Sequence, residues 1–206
     1  MSPRPRDENL RDAVLRAAAH VLAEEGPTAL TTRRVARDVG VSTTSVYTYF
    51  GSMEELRQEV RRAGFATLDA RADRVPSTDD PVADLAALTE VYFAYGLAEP
   101  NVYRAMFIDR PLDGDNNGKE AYERLVTEIS RCIEAGRFAA GTEVLTLVWA
   151  AQVWSMRHGM VTLVLSGQLP VDQARFVLSD MLVRLCVGYG DDPGRAAASV
   201  AAGLAG

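Results

Sequence analysis

The chain has 206 residues, 48% of them hydrophobic and 24% charged, the balance of an ordinary soluble globular protein with room for one or two cores. Its net charge of −6 excludes a body that is basic all over. The N-terminal Met1 to Asp12 is too polar for a secretory leader, and the most apolar stretch, Val144 to Leu165, is interrupted by Gln152, Arg157 and His158, so it reads as a buried helix and not a membrane span.

Apolar residues recur at helical spacing from end to end, and no run of strands is visible, which predicts an all-α fold of about nine helices. The first runs from about Asp7 to Glu25, with Leu10, Val14, Ala17, Ala18, Val21 and Leu22 as its core stripe, and Gly26-Pro27 stops it. A pair of short helices follows. Thr31 or Thr32 caps the first, and Val35, Ala36 and Val39 form its apolar face. Gly40 stands where the chain must turn through the left-handed region, and Ser42 caps the second. Ala36 is small enough to let the second helix cross closely, with Val41 and Val46 filling the crossing. A fourth helix opens on the capping box Ser52-Met53-Glu54-Glu55 and continues to about Asp73.

Beyond the loop at Pro76 to Asp80, Asp80 and Pro81 start a fifth helix that reaches about Ala98 and breaks at Glu99-Pro100. A short helix carries Val102 to Asp109, and Pro111 to Gly118 reads as an exposed loop. A seventh helix covers about Glu120 to Glu134. Thr142 caps a long eighth helix that ends near Ser166, and Pro170 opens a last one that ends near Gly188. The Gly- and Ala-rich stretch from Gly190 to Gly206 is expected to end loosely.

The second helix of the short pair is left with Ser42, Thr43, Thr44, Ser45, Tyr47, Thr48 and Tyr49 to expose. Short hydroxyl side chains let a helix approach closely and offer donors and acceptors to base edges and phosphates, so this surface fits a DNA major groove. Tyr49 has core packing as its alternative. The charge distribution agrees. Residues 1–51 hold seven Arg and six acids, a net +1, while the remainder carries −7. A near-neutral head on an acidic body can bind DNA where its cations face the duplex, and the body then discourages loose binding. Arg4 and Arg6 lie in an N-terminal segment that reads as a tail or as a minor-groove arm.

Thr31-Thr32-Arg33, Val39-Gly40-Val41, Val46-Tyr47-Thr48-Tyr49-Phe50 and Ser52-x-Glu54-Glu55-Leu56 together resemble the N-terminal domain of the tetracycline-repressor (TetR) family, over about Leu10 to Leu56. The chain departs at Met53, where the family commonly has a Lys that touches a phosphate. The resemblance implies a helix-turn-helix DNA-binding domain at 1–51 and a helical ligand-binding and dimerisation domain at 52–206. It implies base reading by Arg33, Thr43 and Thr44, and phosphate contacts by Thr32, Ser45, Tyr47 and Tyr49.

The body is rich in aromatics. Plain core packing accounts for aromatics at helical spacing, but family resemblance implies an inducer cavity here, with Tyr92, Tyr95, Tyr103, Phe107, Trp154 and His158 as the lining candidates. Trp154 and His158 are four apart and share a helix face, and His158 could bind a ligand or satisfy a buried carbonyl. Trp154-x-x-x-His158-Gly159 resembles a pattern of one TetR C-terminal subclass, and Gly159 implies close approach by another helix. The last two long helices carry more apolar surface than one core face needs, including Leu147, Ala151, Phe176, Met181, Leu182 and Leu185, and resemblance implies a four-helix bundle with a second copy.

Cys132 and Cys186 read as buried free thiols, with a redox pair or a metal site as alternatives, and His20 and His158 form no metal-ligand pair at helical spacing. No catalytic constellation is visible; Gly188-Tyr189-Gly190 follows a helix and lacks nucleotide-loop spacing. The expectation is a cytoplasmic, homodimeric regulator that binds an operator and a small-molecule inducer, with no enzyme activity, cofactor or membrane partner. The alternative is a helical small-molecule-binding protein or enzyme carrying a relic head.

Overall fold

The computed structural model describes residues 5–108 and 118–205, with side chains from residue 9 onward. The described residues form ten α-helices and no strand: α1 Pro5–Glu25, α2 Thr32–Val39, α3 Thr43–Phe50, α4 Met53–Ala72, α5 Pro81–Ala98, α6 Pro100–Phe107, α7 Lys119–Glu134, α8 Glu143–Leu165, α9 Val171–Gly188 and α10 Pro193–Leu204. The sequence boundaries agree to within a few residues, because the local signals are present. Ser52 and Glu55 bond reciprocally through their side chains and backbone amides, each at 3.1 Å. The Thr142 hydroxyl accepts from the Leu145 amide. The loop read at Pro111 to Gly118 and the arm at Arg4 and Arg6 fall wholly or largely outside the described residues.

Two compact units emerge, one of residues 1–66 and 99–117 and one of 67–98 and 118–206. The core of the first is Val14, Ala18, Val21, Leu22, Leu30, Val35, Ala36, Val46, Phe50, Leu56 and Val60. Helix α6 belongs to this unit. The Asn101 side-chain amide donates to the Ala23 carbonyl, and Arg61 Nε donates to the Met106 carbonyl at 2.7 Å. Gly64 makes room for α6, since a Cβ there would come within 2.7 Å of Met106 Sδ and 2.9 Å of Val102 Cγ1.

In the second unit, α5 is the central helix and packs against α7, α8 and α10. Helix α10 corrects the reading of residues 190–206 as a loose end. Asp192 caps it, Pro193 occupies its first turn, and Ala196, Ser199, Val200 and Gly203 are buried. Small residues, which read as looseness in sequence, here permit close approach. A Cβ on Gly203 would collide with the Ala83 carbonyl oxygen and lie 2.7 Å from Ala86 Cβ. Gly159 corrects the opposite inference: a Cβ there would meet nothing within 4 Å, so among the described residues no other helix approaches it closely.

A buried ionic cluster holds the start of α10. Arg137, 4% exposed, donates to both Asp191 oxygens at 2.9 and 2.7 Å, to Asp80 at 2.7 Å and to Ser199 at 3.0 Å. Ser199 in turn donates to Asp80 at 2.6 Å. Removing one partner of such a buried pair strands the other charge, at a cost of about 3–5 kcal/mol. Burial pushes the Asp80 carboxyl upward, but the Ser199 hydroxyl, the Ala83 amide and Arg137 outweigh it and hold its pKa below the ordinary 3.8. Cys132 and Cys186 are free and buried, and burial raises both pKa values, that of Cys186 to about 12.

A folded pKa below the unfolded one makes the Asp80 contribution complete above pH 3.8, and it drains away as the pH falls through the lower folded value. Unfolding by urea between pH 2.5 and 5 should therefore show a shallower acid limb in Asp80→Asn than in the wild type. Equal slopes would remove Asp80 from the groups that set acid stability.

Candidate nucleic-acid interface and internal cavity

The N-terminal unit builds its exposed face from three local devices. The Thr31 hydroxyl accepts from the Arg34 amide at 3.3 Å and starts α2. Gly40 ends α2 with φ 75°, and its amide and that of Val41 return to the carbonyls of Arg37 and Ala36. Ser42 then accepts from the Ser45 amide at 3.1 Å and starts α3 only two residues later. Val35 and Ala36 on α2 meet Val46 and Phe50 on α3 in the buried core, which leaves the opposite side of α3 to solvent.

That side carries Thr43, Thr44, Tyr47 and Thr48, all exposed, with Tyr47 at 48%. Ser42 is exposed, and Ser45 is half-buried with its hydroxyl 2.9 Å from that of Ser42. Thr48 donates to the Thr44 carbonyl, so its methyl and its oxygen lone pairs are what it offers outward. The Thr32 hydroxyl donates to the Tyr47 hydroxyl at 3.1 Å, which joins the start of α2 to the exposed face of α3. Eight of the nine candidate residues thus face or border solvent on one side. Tyr49 is half-buried and packs against the head core, its alternative reading. Met53 does likewise, so the position that commonly holds Lys in the family makes apolar contact here.

Electrostatics separate the three arginines of α2. Arg34 is held by Glu25 at 2.5 Å and by Asp38. The hydrogen bonds that Arg34 donates to Asp38 and to Glu25 raise its pKa, and the bond to Asp38 lowers that of the Asp38 carboxyl. Arg33 and Arg37 are exposed and have no carboxylate partner among the described residues. They stand four apart, hence on one side of α2. Arg37 was not singled out in sequence, although the i, i+4 spacing from Arg33 carried the signal.

In the second unit, Tyr92, Trp154 and His158 come together. The Tyr92 hydroxyl is 3.4 Å from His158 Nδ1, and the Trp154 ring stacks on His158 at 5.5 Å. Burial lowers the His158 pKa below 6.5, which leaves the ring neutral at pH 7. Trp154 itself is 37% exposed. Tyr95 is buried with the Arg71 guanidinium 5.0 Å above its ring. Tyr103 and Phe107 belong to the first unit, where they pack on each other at 4.7 Å and Phe107 meets Phe65 at 5.1 Å.

A small cavity of about 20 Å³ lies among Leu68, Asp69, Leu88, Tyr92, Arg124 and Arg157. That volume is room for about one water. Three of its groups were missed in sequence. Arg157 is 5% exposed, and its guanidinium sits 4.2 Å above the Tyr92 ring. Burial raises the Asp69 pKa while Arg124 opposes the rise. The signal for Arg157 was its place in the apolar eighth helix, read only as an interruption. Of the apolar residues assigned to a partner face, Leu147 is 42% and Phe176 76% exposed, and Ala151, Met181 and Leu185 are half-buried. Leu182, which the sequence left open between core and partner face, is fully buried in its own chain. Among the described residues, no three His, Cys, Asp or Glu side chains gather to hold a metal ion, and no helix is long and apolar enough to cross a membrane.

A helix-turn-helix with its second helix bare defines the class: a DNA-binding head on a helical body. Residues 14–60 match the model of bacterial regulatory proteins of the tetR family, and residues 85–186 match that of the tetracyclin repressor-like C-terminal domain. The chain belongs to the tetR family of bacterial regulatory proteins and is a DNA-binding transcriptional regulator. A helix-turn-helix-type transcriptional regulator of Mycobacterium tuberculosis, described as uncharacterized, is 28% identical over 182 residues, 86% of this chain and 80% of that one. Among solved structures, a protein of unknown function from Rhodococcus sp. RHA1 superposes with TM-score 0.76 at 23% identity, over 88% and 96% of the two chains. RolR in complex with resorcinol superposes with TM-score 0.71 at 17% identity, over 95% and 94%.

The Ser42 cap accepts one of the free amides at the start of α3, and its loss should cost about 1 kcal/mol. Urea unfolding of Ser42→Ala should show that loss, and Ser42→Asn should restore most of it. An unchanged midpoint in Ser42→Ala would mean that the cap contributes nothing to α3.

Proposed function

We propose that the protein is a homodimeric repressor, released from a palindromic operator when a small molecule enters its helical body. It acts by binding, without catalysis, in the cytoplasm. Residues 1–51 read DNA, and residues 52–206 hold the ligand and the partner. The observation that carries this reading is the bare face of α3, with Thr43, Thr44, Tyr47 and Thr48 outward and Arg33 unpaired at the start of α2. One such helix contacts too few base pairs for useful specificity, so two must act together, on half-sites about one DNA turn (roughly 34–36 Å) or a multiple apart. The exposed apolar residues of α8 and α9, Leu147 and Phe176 foremost, suit a bundle with a second copy.

The effector enters the cavity beside Tyr92, Arg157 and His158. At about 20 Å³ it is the closed form of that site, so a ligand has to open it. An apolar wall with the buried Arg157, the part-exposed Arg124 and Asp69, and the neutral His158 behind the Tyr92 hydroxyl, suits a small, flat, hydroxylated molecule, and the resorcinol held by RolR is of that kind. Helix α4 supplies the coupling. Leu68, Asp69 and Ala72 line the cavity, and on the same helix Leu56 and Val60 are buried in the head core. To weaken operator binding a hundredfold, the ligand must prefer the released form by about 2.7 kcal/mol.

Selection of bound duplexes from a random library by the purified protein tests the whole reading. An inverted repeat is the expected winner. No enrichment from folded, ligand-free protein would sink it in favour of a relic head.

On the selected operator, Tyr47→Phe should weaken matched and mismatched duplexes alike, by about 1 kcal/mol, as a lost phosphate contact does. Arg33→Ala should cost about 1–3 kcal/mol on the matched site and much less on mismatched ones. Equal losses for Arg33→Ala would remove it from the base readers. Phe176→Asp should give a monomer in sedimentation and lower operator affinity about a hundredfold. A Phe176→Asp dimer of unchanged affinity would move the interface elsewhere.

A further inference from the structure

The second unit holds a ligand-sized space besides the cavity beside Tyr92. A solvent-open cleft of about 600 Å³ runs from the end of α4, along α5, to α10. Its floor is apolar, with Val75, Val91 and Ala94, and its far wall is Ala202 and Gly203 of α10. That wall is fixed. Gly203 lies against the Ala83 backbone too closely for any side chain, and the Arg137 cluster anchors the same helix near its start. A cleft in the few-hundred to thousand Å³ range with an apolar lining and a few polar groups is the usual form of a small-molecule site.

Its charges are unevenly compensated. Two carboxylates line it, and both are neutralised by arginines that do not. Arg131 holds Asp84 at 2.9 Å, and Arg175 holds Glu90 at 2.5 Å. Of the two arginines that do line it, Arg71 stacks over Tyr95, and Arg74 has no carboxylate partner among the described residues. An apolar trough with one uncompensated guanidinium at its edge matches a molecule with an apolar body and one anionic end. A carboxylate meets the planar guanidinium fork with two parallel hydrogen bonds.

We propose that this cleft is a second ligand site, which binds an amphipathic carboxylate with its chain along α5 and its carboxylate on Arg74. The site shares only Val91 with the cavity beside Tyr92 and stands whether or not that cavity takes an effector. Because Arg71 belongs to α4 and Arg74 follows it by two residues, an occupant here touches the helix that enters the head core.

Calorimetric titration of the full chain with decanoate, and with decanol as its neutral counterpart, tests the site. Decanoate should bind once per chain and at least tenfold more tightly than decanol. Arg74→Ala should bring decanoate down to the affinity of decanol. Ala202→Trp, an exposed position whose new ring fills the cleft, should abolish binding of both. Both positions are exposed, so both variants should keep the wild-type melting temperature and, without ligand, the wild-type affinity for the selected operator. Any other binding pattern overturns the proposal: no binding, equal affinity for decanol, or either variant binding decanoate as the wild type does.

Discussion

Helix α4 is built into two cores at once, and the rest of the molecule is arranged around that constraint. Leu56 and Val60 are buried among the head residues, while Leu68 and Ala72 are buried in the second unit. Between them the helix has no proline and a single glycine, Gly64, which is filled by Met106 and Val102 rather than left as a hinge. An unbroken helix transmits displacement because bending it distorts a ladder of backbone hydrogen bonds. In the repressor proposed above, this shared helix is the route by which a ligand among the body helices would act on the reading helix.

What was legible in the sequence is what is encoded locally. Thr31, Gly40, Ser42 and the Ser52–Glu55 box each act within three or four residues, and each appears in place. What was illegible depends on distant partners. Residues 193–204 look loose because they are Gly, Ala and Ser, yet those are the residues that let α10 lie against Ala83 and Ala86. Gly159 invited the same logic and does not follow it, because nothing among the described residues approaches it. A glycine on a helix states only that a close approach is permitted. Likewise, Arg157 read as a break in an apolar run, and only the fold shows it buried over Tyr92.

The second unit keeps an unusual amount of charge inside, and it does so in two different ways. Arg137 and Arg131 are saturated by Asp191, Asp80, Asp84 and Glu128, and they pin loops to helices. Buried pairs of this kind specify geometry more than they add stability. Asp69, Arg124 and Arg157 are gathered around a cavity instead, one with room for about one water.

The head, by contrast, brings little charge to DNA. Glu25 and Asp38 neutralise Arg34, leaving Arg33 and Arg37 as the bare cations of α2. Nearly all non-specific affinity comes from counterions released by such cations, so one head gains little of it, and an acidic body subtracts from that. In the proposed dimer, affinity then comes from hydroxyl contacts made at two half-sites together, and such a repressor loses its hold as soon as its two heads no longer fit one operator. In that proposal a modest shift carried by α4 is enough for release, where a strongly basic head would stay bound through one half-site.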